Sequence, residues 1–526
     1  MATLIRPPSS RGRPAAPLRD VSSPQAAVAA RCGPRQDGGR LWLHLHLPQL
    51  PLEVLTRGVD TARACVLVDG GNPRGRILLT NPRAAACGIR AGMPLAAAHA
   101  LGELIVIERD MHAEQQALQQ LCLWAVQFTA IVSAVPPDGL VLEIKGSLRL
   151  FGGLQGLLLR LRQGMRELGY RADYAVAPTP LAAAALARSE PRTVLQELHQ
   201  LVPGLARLPL AALRLEPAMS QALEQLGVRQ IGDCRRLPRA GLARRLSPTL
   251  VQMLDRLFGQ VVDLRPAFEL PRRFDGEIDL PWEVTSTRGL MRAVEPLLHE
   301  LHGYLVANAA TTRQLRWRLI DRQGGREDFQ VNFSRAGSDR RQMLLLMRET
   351  LARKRLAMPV RAISLRVDDL IFGVASPPRD LFAQRASEHD EAYAGFIDRL
   401  RARCGEQALR SLRVQGGHRP EYASGWQRPV LTDGRRGRVP TPATCLTRHP
   451  LWLLERPLRL DVRGDRPVFD GPLRLDPERE RIQSGWWDES GIKRDYFVAT
   501  TGRGGRLWIY RELEGGRRWY LHGVFD

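Results

Sequence analysis

His44 and His46 stand two residues apart, Glu53 follows seven residues later, and Asp138 opens a separate apolar stretch. A His-x-His pair presents two imidazoles side by side, and with Asp138 they could hold a transition metal such as Zn²⁺. Mg²⁺-dependent phosphoryl transfer asks for something else: hard, anionic oxygens gripping two cations about 4 Å apart. Neutral imidazole does not offset Mg²⁺ charge. The plainer reading, two histidines filling a pocket without a metal, is preferred. The seven cysteines add no metal module, since they are scattered and never form Cys-x-x-Cys.

Two strands must position these groups. Leu41, Leu43, Leu45 and Leu47 alternate with Trp42, His44 and His46, a period of two that predicts a strand buried on one face with both histidines on the other. Residues 139–144, Gly-Leu-Val-Leu-Glu-Ile, predict a second strand, and the preceding Val-Pro-Pro-Asp sets the Asp138 carboxylate at its mouth. Glu143 alternates with Leu142 and could face away.

In this arrangement the chain resembles the Y-family (translesion) DNA polymerases. Their first palm strand carries Asp-x-Asp nine and seven residues before a Glu, which puts His44 and His46 on the two Asp positions counted from Glu53. A later strand opens with Asp-Glu, which falls on Asp138 and Gly139. Residues 76–100, two helical stretches separated by Gly88-Ile89 and Gly92-Met93-Pro94, are similar to the family's fingers. The family's triphosphate-binding Tyr and Arg fall on Pro82 and Ala85, and a later triphosphate-binding Lys falls on or near Pro180. The resemblance therefore implies a polymerase scaffold with no catalytic residues left.

Residues 201–257 read as short helices and tight turns. Leu226-Gly-Val-Arg-Gln-Ile-Gly-Asp233 resembles a helix-hairpin-helix, in which Gly227, Val228 and Gly232 would let backbone N–H groups approach a DNA phosphate, flanked by Arg235, Arg236 and Arg239. The alternative is an ordinary helical hairpin with Asp233 as an N-cap. Residues 274–367 read strand, helix, strand, strand, helix, strand, the order of the family's little finger. Arg316, Arg318 and Arg322 share alternate positions there and would either track a phosphate backbone or line a solvated face. In the connector after it, Asp380-Leu381-Phe382 resembles the clamp-docking peptide of bacterial polymerases, with Pro378 where that peptide has Gln. The alternative is a pair packed on the little finger. A charged helix is expected over 386–412 with Phe396, Leu400 and Leu409 on one side. Four antiparallel strands are expected within 481–522, whose Trp and Tyr would either stack single-stranded bases or form the module's core.

A length of 526 residues suggests three or four domains. The net charge of +22 and pI near 10.8 favour a polyanionic partner. Nearly all the excess is Arg, with only Lys145, Lys354 and Lys493 as lysines, a bias that GC-rich codon usage would also produce. No apolar run reaches the roughly 18 residues of a membrane span, and a soluble cytoplasmic protein is expected. The expected fold is a multidomain α+β chain of Y-family polymerase architecture: a disordered leader (1–39), a palm (40–195) with inserted fingers (about 70–110), and a helical thumb (196–262). A βαββαβ little finger (270–375), a linker with the clamp peptide and a helix (376–425), and a partner-binding region ending in a β meander (426–526) follow. The missing palm acids, together with the tail runs Leu451-Trp-Leu-Leu-Glu-Arg-Pro-Leu458 and Ser484-Gly-Trp-Trp-Asp488, resemble the non-catalytic, ImuB-like branch of the family. That branch implies a scaffold working with primer–template DNA, the sliding clamp, an error-prone C-family polymerase catalytic subunit and the RecA-like ImuA protein, with no cofactor and no metal. The alternatives are an active polymerase with a rebuilt metal site, and a DNA-binding repair module with no clamp tether.

Overall fold

A computed structural model describes residues 4–5, 39–59, 62–70, 75–372, 384–414, 419–427, 429, 449–485 and 491–525. They divide into two units, Met1–Arg379 and Asp380–Asp526. The first unit starts with β1 (Leu4–Ile5), a two-residue strand inside the segment expected to be a disordered leader. β2 (Trp42–His46) follows, then β3 (Cys65–Val68), β4 (Ile77–Thr80) and β5 (Ile105–Glu108) of the fingers segment. β6 (Val132–Val135), β7 (Gly139–Glu143) and β8 (Asp173–Ala177) complete the palm segment. The palm sheet runs β6-β7-β2-β8, all antiparallel, and a smaller sheet runs β1-β5-β3-β4.

The alternating leucines produce the palm core. Leu43 and Leu45 join Leu140, Leu142 and Val176 on one face, where Leu118 and Leu121 of helix Met111–Ala125 and Leu157 and Leu161 of helix Leu154–Glu167 cover them. Each such side chain contributes about 1.5–3 kcal/mol on burial. The first helix starts at Asp110, whose carboxylate accepts the N–H groups of His112 and Ala113 at 2.9 and 3.0 Å. The opposite face, which carries the histidines, is covered as well. Helix Pro180–Ser189, rich in alanine, lies across it with Val141, Ala175 and Ala177, leaving Trp42 2% and His44 0% exposed. Short alanine side chains let that helix approach closely, so both faces of β2 are interior. Thumb helices Leu201–Leu205, Pro217–Gln225, Ile231–Arg236, Arg239–Arg245 and Pro248–Leu257 build on the same core.

β9 (Phe274–Val284), β10 (Ala310–Ile320), β11 (Arg326–Gly337), β12 (Val360–Val367) and β13 (Leu370–Phe372) alternate with helices Thr287–Ala307 and Arg340–Arg353 in the expected order, with β13 added. The sheet runs β11-β10-β12-β9. Leu315, Trp317 and Leu319 point into its core, so Arg316 and Arg318 between them face outward. Arg322 falls beyond the end of β10, in the turn, and not in their row. Helix Thr287–Ala307 rests on helix Met111–Ala125, and a Cβ at Gly303 would come within 2.7 Å of Trp124 Cδ1. Beside this contact Arg57 Nη1 meets Glu300 Oε1 at 2.5 Å, with the side chains 4% and 2% exposed.

In the second unit, helix Gln384–Cys404 ends where Gly405 takes a φ of +103°, so Leu409 is not part of it. Among its described side chains Ala394, Ile397 and Asp398 are buried, while Phe396 is exposed. β14 (Ser411–Val414) and β15 (Ser424–Gln427) pair as an antiparallel ribbon. β16 (Trp452–Arg463), β17 (Arg466–Val468), β18 (Arg474–Ser484), β19 (Ile492–Thr500), β20 (Arg506–Glu512) and β21 (Trp519–Val524) form one sheet ordered β17-β16-β21-β20-β19-β18. The four expected strands appear as β18 to β21, and β16 and β17 are added before them. β18 begins before 481 because an edge strand accepts the charged run that opens it, with its register broken between Leu475 and Arg479.

Candidate functional site

The register of the palm sheet sets His44 opposite Val141 and Ala175, and His46 opposite Gly139 and Asp173. His44 is sealed in, and neither ring nitrogen has a hydrogen-bond partner among the described residues. Burial first, then the nearby Arg188 and His46, hold its pKa well below the ordinary histidine range, so it is a neutral ring. Its ring lies against Gly139. A Cβ there would stand 2.7 Å from His44 Nε2 and 3.2 Å from the Leu45 carbonyl oxygen. A side chain at position 139 and the imidazole of His44 therefore exclude each other.

Asp138 does stand at the mouth of β7, and its carboxylate is already bound. Arg214 Nη1 and Nη2 donate to Oδ1 and Oδ2 at 2.6 and 2.5 Å, a bidentate grip. His46 Nδ1 lies 3.5 Å from Oδ1. Burial alone would raise the Asp138 pKa, but His46 and Arg214 hold it well below the usual carboxylate range. Arg214 reaches the site because it closes the 3₁₀ turn Leu210–Leu213 with a left-handed backbone, φ 49°. Arg188, on helix Pro180–Ser189, donates to the Ala212 carbonyl at 3.0 Å, and burial together with Arg214 pushes its pKa down to about 10. The site thus gathers two guanidiniums and two imidazoles around Asp138, where a Mg²⁺ pair would need several acids. Among the described residues no three His, Cys, Asp or Glu converge as metal ligands. Sequence reasoning missed Arg214, Arg188 and Asp173. Arg214 lies 76 residues from Asp138 in a chain full of arginine, with no local signal to single it out.

The positions aligned with triphosphate contacts carry no donors. Pro82 and Ala85 are exposed on helix Pro82–Ala86, and Pro180 is buried in the first turn of its helix. In the helical hairpin Gly227 takes a φ of +78°, as its turn requires, and its N–H donates to Glu224 O at 3.0 Å. Val228 is buried and donates to Leu223 O at 3.0 Å. Gly232 donates to Ala206 O at 3.0 Å, and a Cβ there would stand 2.8 Å from that oxygen. These glycines accommodate the chain's own backbone. Asp233 is not the N-cap: Gln230 is, and Asp233 Oδ2 accepts the Gln230 N–H at 3.0 Å as the third helical residue of a capping box. Arg235 lies over the Phe258 ring at 5.5 Å, and Arg239 pairs with Asp255.

On the open face of the β9–β13 sheet, Arg316 pairs with Asp368 at 3.1 Å and Arg318 takes Asp328 through two bonds of 2.8 and 2.9 Å. Arg366 pairs with Asp275 at 2.7 Å. Exposed pairs of this kind contribute about 0–1 kcal/mol, so they open readily to a competing phosphate. Asp380, Leu381 and Phe382 lie outside the described residues. In the last sheet Tyr496, Trp508 and Tyr510 are interior, with the first two rings stacked 4.1 Å apart. They form core, not a base-stacking surface.

The impB/mucB/samB family model matches residues 59–188. Protein ImuB of Caulobacter vibrioides is 29% identical over 456 residues, which cover 80% of this chain and 96% of that protein. The chain is similar to ImuB over most of the length of both. DNA polymerase IV of Desulfatibacillum aliphaticivorans is 28% identical over 180 residues, 33% of this chain and 45% of that protein. The crystal structure of DinB from Sulfolobus solfataricus aligns at 15% identity over 63% of this chain and 100% of that one, with a TM-score of 0.33. The polymerase-family match and the similarity to ImuB together support a role in DNA damage and translesion synthesis.

Proposed function

We propose that the chain is a non-catalytic Y-family polymerase homologue that acts as a DNA-binding scaffold in damage-induced (SOS) translesion synthesis and mutagenesis. The observation that carries this reading is the bidentate clasp of Arg214 on Asp138, beside His44, His46 and Gly139. A carboxylate whose two oxygens already hold a guanidinium offers a metal ion nothing without breaking that pair. Arg235 on the thumb hairpin, and the sheet face with Arg316 and Arg318, would hold primer–template DNA; the N–H groups of Gly227, Val228 and Gly232 are bonded within the chain and take no part. Asp380, Leu381 and Phe382 would dock on the sliding clamp, and the tail would recruit an error-prone C-family polymerase catalytic subunit and the RecA-like ImuA protein. Several weak contacts on one chain raise the local concentration of a polymerase at the primer end without any catalytic group. The protein works in the cytoplasm in this account. Among the described residues no helix is long and apolar enough to cross a membrane.

A rival reading is an active polymerase with a rebuilt site. Asp173, opposite His46, is an acid such a site could recruit once Asp138 is freed from Arg214. The scaffold is tested by capture on the immobilised clamp in parallel with primer–template binding. Clamp capture is expected to vanish in Leu381→Ala/Phe382→Ala while DNA binding persists. Undiminished capture of that variant would remove the tether from the account.

A further inference from the structure

The sheet domain of residues 274–372 is joined to the palm by more than its linker. Its helix Thr287–Ala307 lies on palm helix Met111–Ala125, and the indole of Trp124, 1% exposed, is the knob between them. One end of that ring meets Gly164 of palm helix Leu154–Glu167, where a Cβ would collide with Cζ2. The other end meets Gly303, the notch on the sheet domain's own helix. The His299 ring leans over the indole with centroids 5.7 Å apart. Glycine is unfavourable inside a helix, so two of them facing one indole mark a close approach that the fold maintains against propensity. A third notch lies at Gly58, where a Cβ would stand 2.8 Å from Ile278 Cγ2 and 3.2 Å from Ala293 Cβ.

Polar contacts and a second indole extend the same junction. Besides the buried Arg57–Glu300 pair, Gln120 Nε2 donates to the Asp275 carbonyl at 3.1 Å, and Arg340 Nη1 meets Glu167 Oε2 at 2.8 Å. Trp282 of β9 packs on Leu52, Leu55, Leu67 and Ile107. Linked domains move relative to one another unless their interface is large and apolar. Opening this one would bare two indoles and leave Arg57 and Glu300 without each other. The linker is itself tied to the palm edge, since the Phe268 N–H donates to the Val132 carbonyl at 2.7 Å, so 269–273 is the stretch left to act as a tether.

We propose that the β9–β13 domain is a fixed extension of the palm, seated through Trp124 and the Arg57–Glu300 pair and not held by its tether. The primer–template cleft is then built before DNA arrives. This deepens the scaffold reading, on which its DNA-binding arm rests.

The test inserts a flexible Gly/Ser segment of about 20 residues between Glu269 and Leu270 of the full-length protein. A domain held by its tether would be diluted by the longer connection, and primer–template affinity would fall at least about threefold. The seated domain is expected to keep its affinity, and the thermal unfolding midpoint of residues 40–372, followed by hydrogen exchange of palm and sheet peptides, is expected to stay common to both. Gly303→Leu drives a side chain into the Trp124 notch, and Glu300→Lys sets two cations against each other. In either background the insertion is expected to lower affinity at least about threefold and to separate the two midpoints. The proposal is overturned if the insertion alone weakens DNA binding that much or separates the midpoints. It is equally overturned if both variants fold and neither makes the insertion costly. Should the variants fail to fold, the insertion in the wild-type background decides by the same two readouts. A wild-type protein that does not bind primer–template would sink the scaffold reading, and a common midpoint that survives the insertion would still support the seated domain.

Discussion

Gly139→Ala adds one methyl group at the position where a catalytic palm carries its second acid. The new Cβ would stand 2.7 Å from His44 Nε2 and 2.8 Å from Cε1, against an optimum near 3.5–4.0 Å for heavy-atom contact. The ring must retreat by about 1 Å, yet His44 is fully buried among Val141, Ala175 and the alanine-rich helix over them. Overpacking of that kind costs about 1–3 kcal/mol. In a His44→Ala background both close ring atoms are gone and the Leu45 oxygen at 3.2 Å is the remaining close contact. Most of the loss should then disappear, giving a coupling of about 1–2 kcal/mol between the two positions. The assay is a double-mutant cycle of urea-unfolding midpoints on four full-length proteins. A Gly139→Ala penalty as large in the His44→Ala background as alone would refute the steric account of why the acid is missing.

Two further perturbations follow from buried charge. Glu300→Ala strands Arg57 in an interior where both side chains are nearly solvent-free, and should cost about 3–5 kcal/mol in unfolding free energy; Arg57→Met/Glu300→Leu together should cost less than Glu300→Ala alone. Burial pushes Glu53 from 4.5 up to about 7, although the Arg171 N–H bound to its carboxylate at 3.0 Å pulls the other way. The folded protein then holds a proton that the unfolded chain has released, so stability falls as pH rises from about 4.5 to about 7. Thermal unfolding midpoints should decline across that window in the wild type and change less in Glu53→Gln.

The leucine period of two and the apolar run at 139–144 made the palm strands legible, and the helix and strand alternation over 274–367 did the same for the second sheet. The second buried face of β2 was not legible, because Trp42, His44 and His46 give the same pattern whether that face meets water or a helix 140 residues away. The Arg214–Asp138 clasp was out of reach for a related reason: it depends on a left-handed residue closing a turn in the thumb. The hairpin glycines were read as openings for a DNA phosphate; in the fold Gly227 serves a left-handed turn and Gly232 makes room for Ala206. In the tail, the charged first half of β18 and the strands β16 and β17 were not legible, whereas the glycine-punctuated aromatic strands beyond were plain.

The central claim is that this palm does not catalyse nucleotide transfer. Primer extension by the full-length protein, with Mg²⁺ and then Mn²⁺ on a primer–template it demonstrably binds, tests that claim most directly. The account predicts binding with no extension above background. Extension that disappears in Asp138→Ala would contradict it, because the carboxylate would then be serving a metal and not Arg214.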